Sequence, residues 1–302
     1  MTRVVRFRCV LLISGGVALA ALGCENDVSV HLLPVPPPLP SMSVMMPTPP
    51  VCVDGDPCSG NARALYFRGA YDRVEIPSSS LLDLPQDFAL EAWVLVKSYS
   101  AGHGILNRWI PGVGDIQLTF GTPEPLPQLE LPSLELVPSH VLASWAFVRP
   151  DYWLTGVAPS LPSSDVWHHL ASVYGGGAFR LYVDGTLVSS FASTEPVSNP
   201  QSTLYLGATA RHERAFDGTL GTLYWPPIDG FIADVRLSSG NRYAADFTPE
   251  AHLTVDASTL ALWHLDEGEG AAAIDSGPSA LDGAIFGAVW SLAPIRVKDS
   301  SL

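Results

Sequence analysis

The chain has 302 residues, of which 47% are hydrophobic and 15% charged, and its formal net charge is −14. This composition is typical of a globular protein and is too apolar for a disordered chain. The length allows either one large β domain or two small ones. Because an acidic protein repels phosphate backbones, the charge argues against nucleic acid as a partner.

The first 23 residues have the layout of an export signal. Arg3, Arg6 and Arg8 form a positive segment without any acid, and an apolar run follows from Val10 to Leu22. This run is shorter than the roughly 20 residues that cross a bilayer. It therefore favours a signal peptide over a transmembrane helix.

The end of this run predicts a lipid anchor. The segment Ala21-Leu22-Gly23-Cys24 resembles a bacterial lipobox, although Ala21 stands where Leu is usual. The resemblance implies that the Cys24 thiol is diacylated and becomes the first residue of the mature chain. In such lipoproteins Glu25, rather than Asp, favours the outer membrane. The alternative is a plain secretory signal with cleavage nearby, which leaves Cys24 without a role.

Residues 24–51 are a predicted linker between the anchor and the body of the protein. Eight prolines lie between Pro34 and Pro50, and the segment shows neither a helix nor a strand period. Such composition favours polyproline II, a semi-rigid spacer of about 3.1 Å per residue. The alternative is simple disorder, and either one separates the anchor from the domain.

Cys52 and Cys58 are the cysteines that remain after the signal and the anchor are set aside. They are six residues apart around a Gly-Asp-Pro turn, and outside the cytosol such a pair is expected to form a disulfide. A structural zinc site needs about four ligands, and the sequence offers no second cysteine pair.

From residue 61 onward, short strands alternate with Gly, Pro and Asp turns. No stretch of 12 residues shows a sustained helical period, and this pattern predicts an all-β sandwich or barrel. Asp184-Gly185 is a strong hairpin signal. The predicted strands are 64–68, 73–77, 88–97, 179–183, 186–188, 202–207, 230–237, 260–265 and 284–290.

Six segments in chain order carry a resemblance to a known family. They are ALYFRGAYDRVEIP at 64–77, DFALEAWV at 87–94, WHHLASVY at 167–174, LYVDGTLV at 181–188, GFIADVRL at 230–237 and LWHLDEG at 262–268 with the acidic turns up to 283. Together they resemble the laminin-G-like (concanavalin A-like) jelly-roll family over residues 61–293.

The resemblance implies one domain, residues 52–302, built from two antiparallel sheets packed face to face. It also implies that the first and last strands pair. Residues 121–165 and 212–228 exceed the usual connections of the family, and we expect them to be inserts that decorate an edge or a binding face. Binding residues are often carried on such loops.

Trp167-His168-His169 suggests a metal site, but neighbouring strand residues point to opposite faces. Both histidines therefore cannot serve one site without help, and the resemblance makes this segment a structural strand with its Trp in the core. Four tryptophans inside predicted strands are expected to be core residues: Trp93, Trp167, Trp263 and Trp290.

A calcium site is a second metal hypothesis. Jelly-roll modules often hold Ca²⁺ between loops, where carboxylate and carbonyl oxygens supply six to eight ligands. Asp72, Asp234 and Asp266 lie at predicted strand–loop junctions and are the candidates. The alternative is that they are turn-forming, solvated aspartates.

The sequence offers no catalytic motif. Glycosidases of related fold place two or three acids at alternate positions of one strand, whereas Glu91 is alone on its strand. There is no Gly-x-Ser-x-Gly elbow and no Gly-rich phosphate loop. We therefore predict a protein that is not an enzyme.

Aromatic residues in loops and inserts are the predicted ligand contacts, because exposed rings can stack on sugar faces. Tyr99, Trp109 and Trp225 are the leading candidates. Others of this kind are Trp145, Trp153 and Tyr224. The alternative is that these rings pack the inserts onto the sandwich.

The anchor, spacer and sandwich together predict an exported, lipid-tethered module of the cell envelope or cell surface. Its expected role is non-catalytic recognition or adhesion, with a glycan or a protein as ligand and calcium as an optional cofactor. The alternatives are a structural envelope protein whose inserts contact neighbours and a glycoside hydrolase with a hidden site.

Overall fold

The computed structural model describes residues 61–69, 71–99, 103–110, 114–120, 142–149, 152–214, 220–224 and 228–294. All of them belong to the unit Val53–Leu302. The predicted signal peptide and linker, Cys24, Cys52, Cys58 and Trp225 lie outside the described residues. In the described part, no helix is long and apolar enough to cross a membrane.

The described residues form eighteen strands and one short 3-10 helix, Ser80–Leu82. In chain order the strands are β1 (Asn61–Phe67), β2 (Arg73–Ile76), β3 (Phe88–Ser98), β4 (His103–Ile110), β5 (Gly114–Phe120), β6 (Leu142–Arg149), β7 (Tyr152–Val157), β8 (Trp167–Gly175), β9 (Ala178–Val183), β10 (Thr186–Ala192), β11 (Leu204–Leu206), β12 (Ala210–Arg214), β13 (Leu220–Tyr224), β14 (Asp229–Ser239), β15 (Thr259–Trp263), β16 (Ala272–Ala273), β17 (Gly283–Phe286) and β18 (Val289–Pro294).

These strands build two large antiparallel sheets, which confirms the predicted two-sheet jelly-roll sandwich. The first sheet has the order β10-β9-β8-β3-β14-β1-β18, with β15 also paired to β14. The second sheet has the order β16-β17-β2-β11-β4-β5-β6-β7. The first and last strands pair as expected, from Asn61 opposite Pro294 to Tyr66 opposite Val289.

The core lies between the two sheets and follows from period-two alternation along each strand. On β3 the residues at even positions, such as Leu90, Ala92 and Val94, belong to the central cluster. Ser144 and Ser172 bridge the sheets inside this core through their hydroxyl oxygens, 2.7 Å apart. The second sheet supplies alternate residues of its own: Val74, Ile76, Leu204, Leu206, Ile116, Leu118 and Phe120.

The predicted hairpin at Asp184-Gly185 joins β9 to β10. Both residues have positive φ, 51° and 77°, which suits the tight turns that match the twist of paired strands. Gly185 is needed for a second reason, because a Cβ there would lie 1.9 Å from the Phe247 carbonyl oxygen.

Both predicted inserts contribute strands. Within residues 121–165, β6 pairs with β5 and β7 pairs with β6, so this insert extends the edge of the second sheet. Around residues 212–228, β12 and β13 form a separate two-stranded hairpin.

The outer face of the first sheet carries a buried ionic network centred on Glu91. Arg236 Nε donates to Glu91 Oε1 (2.8 Å), and His169 Nε2 (3.1 Å) and the Tyr243 hydroxyl (2.9 Å) donate to Oε2. The side chains of Glu91, His169 and Arg236 are fully buried. Burial alone raises the pKa of Glu91, but the hydrogen bonds and positive charges of His169 and Arg236 outweigh it and lower the pKa to about 2.

Residues 240–258, the covering segment, close this face over the network. Tyr243 and Phe247 stack with ring centroids 3.5 Å apart, and Arg236 Nη1 donates to the Thr254 carbonyl (2.6 Å). Trp93 Nε1 donates to the Glu250 carbonyl (2.9 Å). The apolar surface under the segment comes from small and aromatic side chains of three neighbouring strands: Ala89, Ala171, Val173 and Tyr182.

Two of the four tryptophans expected in the core are therefore elsewhere. Trp263 is fully buried in the core, and Trp290 packs against it. Trp93 and Trp167 lie instead on the outer face of the first sheet, Trp93 against His169 and Trp167 against Phe231. For Trp93 the cause is that β3 is apolar on both faces, which its sequence alone could not assign to inside and outside. Trp167 lies opposite Leu95 of β3 and shares this outer face with it.

The Glu91 network predicts a specific loss of stability in acid. A carboxyl whose pKa is lower in the folded than in the unfolded chain stabilises the fold above its unfolded value. That contribution is lost as the pH falls from about 4.5 to about 2. We expect the free energy of unfolding by urea to drop over this range, and the drop to be smaller in Glu91→Gln.

Parallel pH profiles for the wild type and Glu91→Gln would contradict this role of Glu91. If the variant does not fold, a ¹³C NMR titration of the wild-type carboxyls gives the same information. The prediction is then one glutamate that titrates near pH 2, and a Glu91 that titrates in the ordinary range would refute it.

Candidate functional site

A row of polar and aromatic residues crosses the outer face of the second sheet. The register aligns Glu75 with Tyr205, Tyr205 with Asn107, and Asn107 with Gln117. Their strand neighbours Val74, Leu206 and Leu118 face the core, so this row faces away from it. In backbone register the row continues from Gln117 to Trp145 and then to Thr155.

Most of this row is buried, and its β2 end is partly exposed. Asn107, Tyr205 and Gln117 are 0%, 5% and 7% exposed, whereas the Glu75 side chain is 26% exposed. At the same end Phe286, on β17 opposite Arg73 of β2, is 40% exposed. The face is thus accessible from its β17–β2 end.

Arg73 contacts the other residues of this accessible end. Its guanidinium carbon lies 4.4 Å from the centroid of the Phe286 ring, and its Nε donates to Glu75 Oε1 (2.6 Å). Its Nη1 donates to the carbonyl of Tyr71 (2.8 Å), whose own side chain is 68% exposed. Tyr71, Arg73, Glu75 and Phe286, the β17–β2 patch, combine two exposed rings with a paired cation and carboxylate.

The predicted ligand contacts lie at different places. Tyr99 is half-buried, with its ring 5.0 Å from that of Phe120, and burial raises the pKa of its phenol to about 12. Trp109 belongs to β4 and pairs with Asp115, two positions along the strand from Asn107. The side chain of Trp109 and all of Trp225 lie outside the described part, so their role stays a prediction.

The three calcium candidates are not equivalent. Asp72 is 6% exposed, and its Oδ2 accepts the backbone N–H groups of Arg68 (2.9 Å) and Gly69 (2.8 Å), which fixes the turn after β1. Asp266 is exposed and follows β15. Asp234 is completely buried in β14.

Asp234 has two histidine neighbours that no sequence pattern predicted. His264 Nδ1 donates to Asp234 Oδ1 (2.6 Å) and His252 Nδ1 to Oδ2 (3.1 Å), and the two imidazole rings stack at 4.3 Å. The hydrogen bond to Asp234 raises the pKa of His264, burial opposes it, and the charges of Asp234, Asp266 and Glu267 add to the rise. As metal ligands, these imidazole nitrogens do not match the preference of calcium for oxygen atoms.

His168 and His169 point to different surroundings, as strand alternation requires. His169 belongs to the Glu91 network. His168 Nδ1 is 2.6 Å from Asp184 Oδ2, and its Nε2 is 2.9 Å from Ser163 Oγ. The two rings therefore do not share a ligand.

Sequence reasoning missed the cross-strand row and the two histidines beside Asp234. The row depends on register between strands that are up to 130 residues apart, from Glu75 to Tyr205. His252 and His264 lie 18 and 30 residues after Asp234, a spacing that matches no metal motif. The sequence signal for these residues was their type alone, namely polar side chains in the row and imidazoles beside Asp234.

A family model described as the concanavalin A-like lectin/glucanases superfamily matches residues 68–247 of the chain. No curated protein matches this chain. Among solved structures, a presumed carbohydrate binding protein from Bacteroides ovatus ATCC 8483 aligns with a TM-score of 0.53 at 16% identity. That alignment covers 78% of this chain but only 62% of the other, so this chain spans less than two thirds of that structure.

Two further structures show more distant similarity. Domains LG4-5 of the mouse laminin α1 chain align at 17% identity with a TM-score of 0.42, covering 64% of this chain and 44% of that one. The CBM40 of the Ruminococcus gnavus IT-sialidase, bound to α2,3 sialyllactose, aligns at 11% identity with a TM-score of 0.35. This alignment covers 56% of this chain and 90% of that one.

Proposed function

The chain belongs to the concanavalin A-like lectin/glucanases superfamily, and from this premise we propose that it is a non-catalytic carbohydrate-binding module. The proposed site is the β17–β2 patch on the outer face of the second sheet. The observation that carries the proposal is the pair of exposed rings, Tyr71 and Phe286, beside the ion pair of Arg73 with Glu75.

The polar groups of the patch suit sugars. The Arg73 guanidinium can donate hydrogen bonds to saccharide hydroxyls, and the Glu75 carboxylate can accept hydrogen bonds from them. A few placed polar groups among apolar surface are typical of small-molecule sites.

The β17–β2 patch supplies the apolar contact. A sugar ring presents a C–H face, and an aromatic side chain covers such a face at low cost in conformational entropy. Phe286 is 40% exposed and Tyr71 is 68% exposed. Because Arg73 is already held by Glu75 and by the Phe286 ring, it can donate to a ligand without first being ordered.

The surroundings of Glu91 support a non-catalytic role for the carboxylate that the sequence placed alone on its strand. General-acid catalysis by a carboxyl requires a raised pKa, whereas the pKa of Glu91 is lowered to about 2. Both of its oxygens accept hydrogen bonds from buried partners under the covering segment. Glu91 therefore belongs to the architecture of the first sheet.

Glycan arrays on the 302-residue chain, with and without calcium, test the proposal. We expect selective binding to a small set of glycans and at least a tenfold loss of affinity in Phe286→Ala and Arg73→Ala, since these side chains form the patch. Val255→Ala is the matched control, because Val255 is 48% exposed but lies on the covering segment of the other sheet.

A folded protein that binds no glycan would contradict the proposal and favour a structural envelope protein. Equal glycan binding by Phe286→Ala, Arg73→Ala and the wild type would show that the site is not at the patch. Selective capture of one protein, lost in the same two variants, would show that the ligand is a protein and not a glycan. Release of reducing sugar would make the chain a glycosidase.

We further propose that the domain is exported and tethered to a membrane through lipid on Cys24, with residues 24–51 as spacer. Support comes from the lipobox-like segment Ala21–Cys24 and the run of prolines. In membrane fractionation of the producing bacterium, the wild type should sediment with membranes and Cys24→Ala should become soluble. A wild type that is already soluble would refute the anchor.

A further inference from the structure

Asp234 sits at an irregular point of β14. The pairing of β14 with β3 shifts register between Ala233 and Arg236, and Asp234 there has a φ of 46°. A non-glycine residue in this region is uncommon, and bulges of this kind re-aim side chains, frequently next to functional sites. The bulge turns the Asp234 carboxylate into a fully buried position.

Three elements converge on this carboxylate. Asp234 belongs to β14, His252 to the covering segment, and His264 follows directly after β15. One ligand atom from each of the three side chains lies within 4.8 Å of the others. Two imidazole nitrogens and one carboxylate oxygen thus lie close together.

We propose that Asp234, His252 and His264 bind a divalent transition-metal ion of the zinc class. This site lies on the first sheet and is separate from the glycan surface proposed for the second. Zinc takes nitrogen and oxygen ligands at about 2.0–2.2 Å, which places tetrahedral ligand atoms roughly 3.3 Å apart. The widest pair in the cluster must therefore close by about 1.5 Å at most.

The required movement is available on one side of the site. The His252 side chain is 51% exposed, whereas His264 is 21% exposed and Asp234 is buried. His252 can rotate toward the ion. His264 Nδ1 and Asp234 Oδ1, which are 2.6 Å apart, release the proton between them and separate by about 0.7 Å. Its exposure also leaves a fourth position for water, as in zinc sites with three protein ligands.

The ligand atoms of the site favour some metal ions over others. Imidazole nitrogen suits zinc and neighbouring transition metals, whereas calcium takes six to eight oxygens. The acidic residues Asp266 and Glu267, which follow His264 closely, add negative charge that attracts a cation. The ion would link the covering segment to β14 and β15, so binding should stabilise the fold by mass action.

Isothermal titration of the metal-stripped 302-residue chain with ZnCl₂ tests this site, using a purification tag without histidine. We expect one zinc ion per chain, a rise in Tm with zinc, and little response to CaCl₂. His252→Ala should bind zinc at least tenfold more weakly, and since His252 is half-exposed this variant should keep its fold.

Two controls isolate the site. His168→Ala removes a histidine that is also hydrogen-bonded to an aspartate but has no second imidazole beside it, and it should bind zinc like the wild type. Cys52→Ser with Cys58→Ser removes the thiols and should also leave zinc binding unchanged. Equal zinc affinity in His252→Ala and the wild type, loss of binding only in the cysteine variant, or no zinc binding at all would overturn the proposal.

If His252→Ala does not fold, NMR of the wild-type histidines gives the decisive result. Zinc should shift the imidazole signals of two histidines, His252 and His264, and leave the signals of His168 and His169 unchanged. Shifts at other histidines instead would refute the site.

Discussion

A buried carboxylate, Glu91, holds the first sheet to the segment that covers it. Such a charge is costly to bury unless it is paired, and here Arg236, His169 and Tyr243 all donate to it. Arg236 also donates to the carbonyl of Thr254, so the same guanidinium fixes β14 and the covering segment. This closed face brings His252 beside Asp234.

Much of the fold could be predicted from sequence because its determinants are local. Alternation of apolar residues predicted strands such as β3, β9 and β14, but not β4 to β7 or the β12–β13 hairpin. Asp184-Gly185 predicted its hairpin, since positive φ at two successive residues is rare outside such turns. The pairing of β1 with β18 followed from a resemblance carried by six ordered segments, and it is present.

The remainder depends on contacts that local patterns do not encode. β3 is apolar on both faces, so the outward position of Trp93 depends on the covering segment, and that of Trp167 depends on its contact with Phe231 of β14. The alignment of Glu75, Tyr205 and Gln117 needs a register across three strand pairs. Asp234 could be chosen as a candidate ligand, but its two histidine partners are joined to it only by folding.

Equilibrium urea unfolding of Arg236→Met tests most directly whether the Glu91 network holds the first sheet to the covering segment. The substitution keeps a long apolar side chain but leaves the Glu91 charge buried without the guanidinium that pairs with it. A loss of about 3–5 kcal/mol in the free energy of unfolding at pH 7 is expected. A change within about 0.5 kcal/mol, no larger than that of the exposed Arg68→Met, would contradict the account.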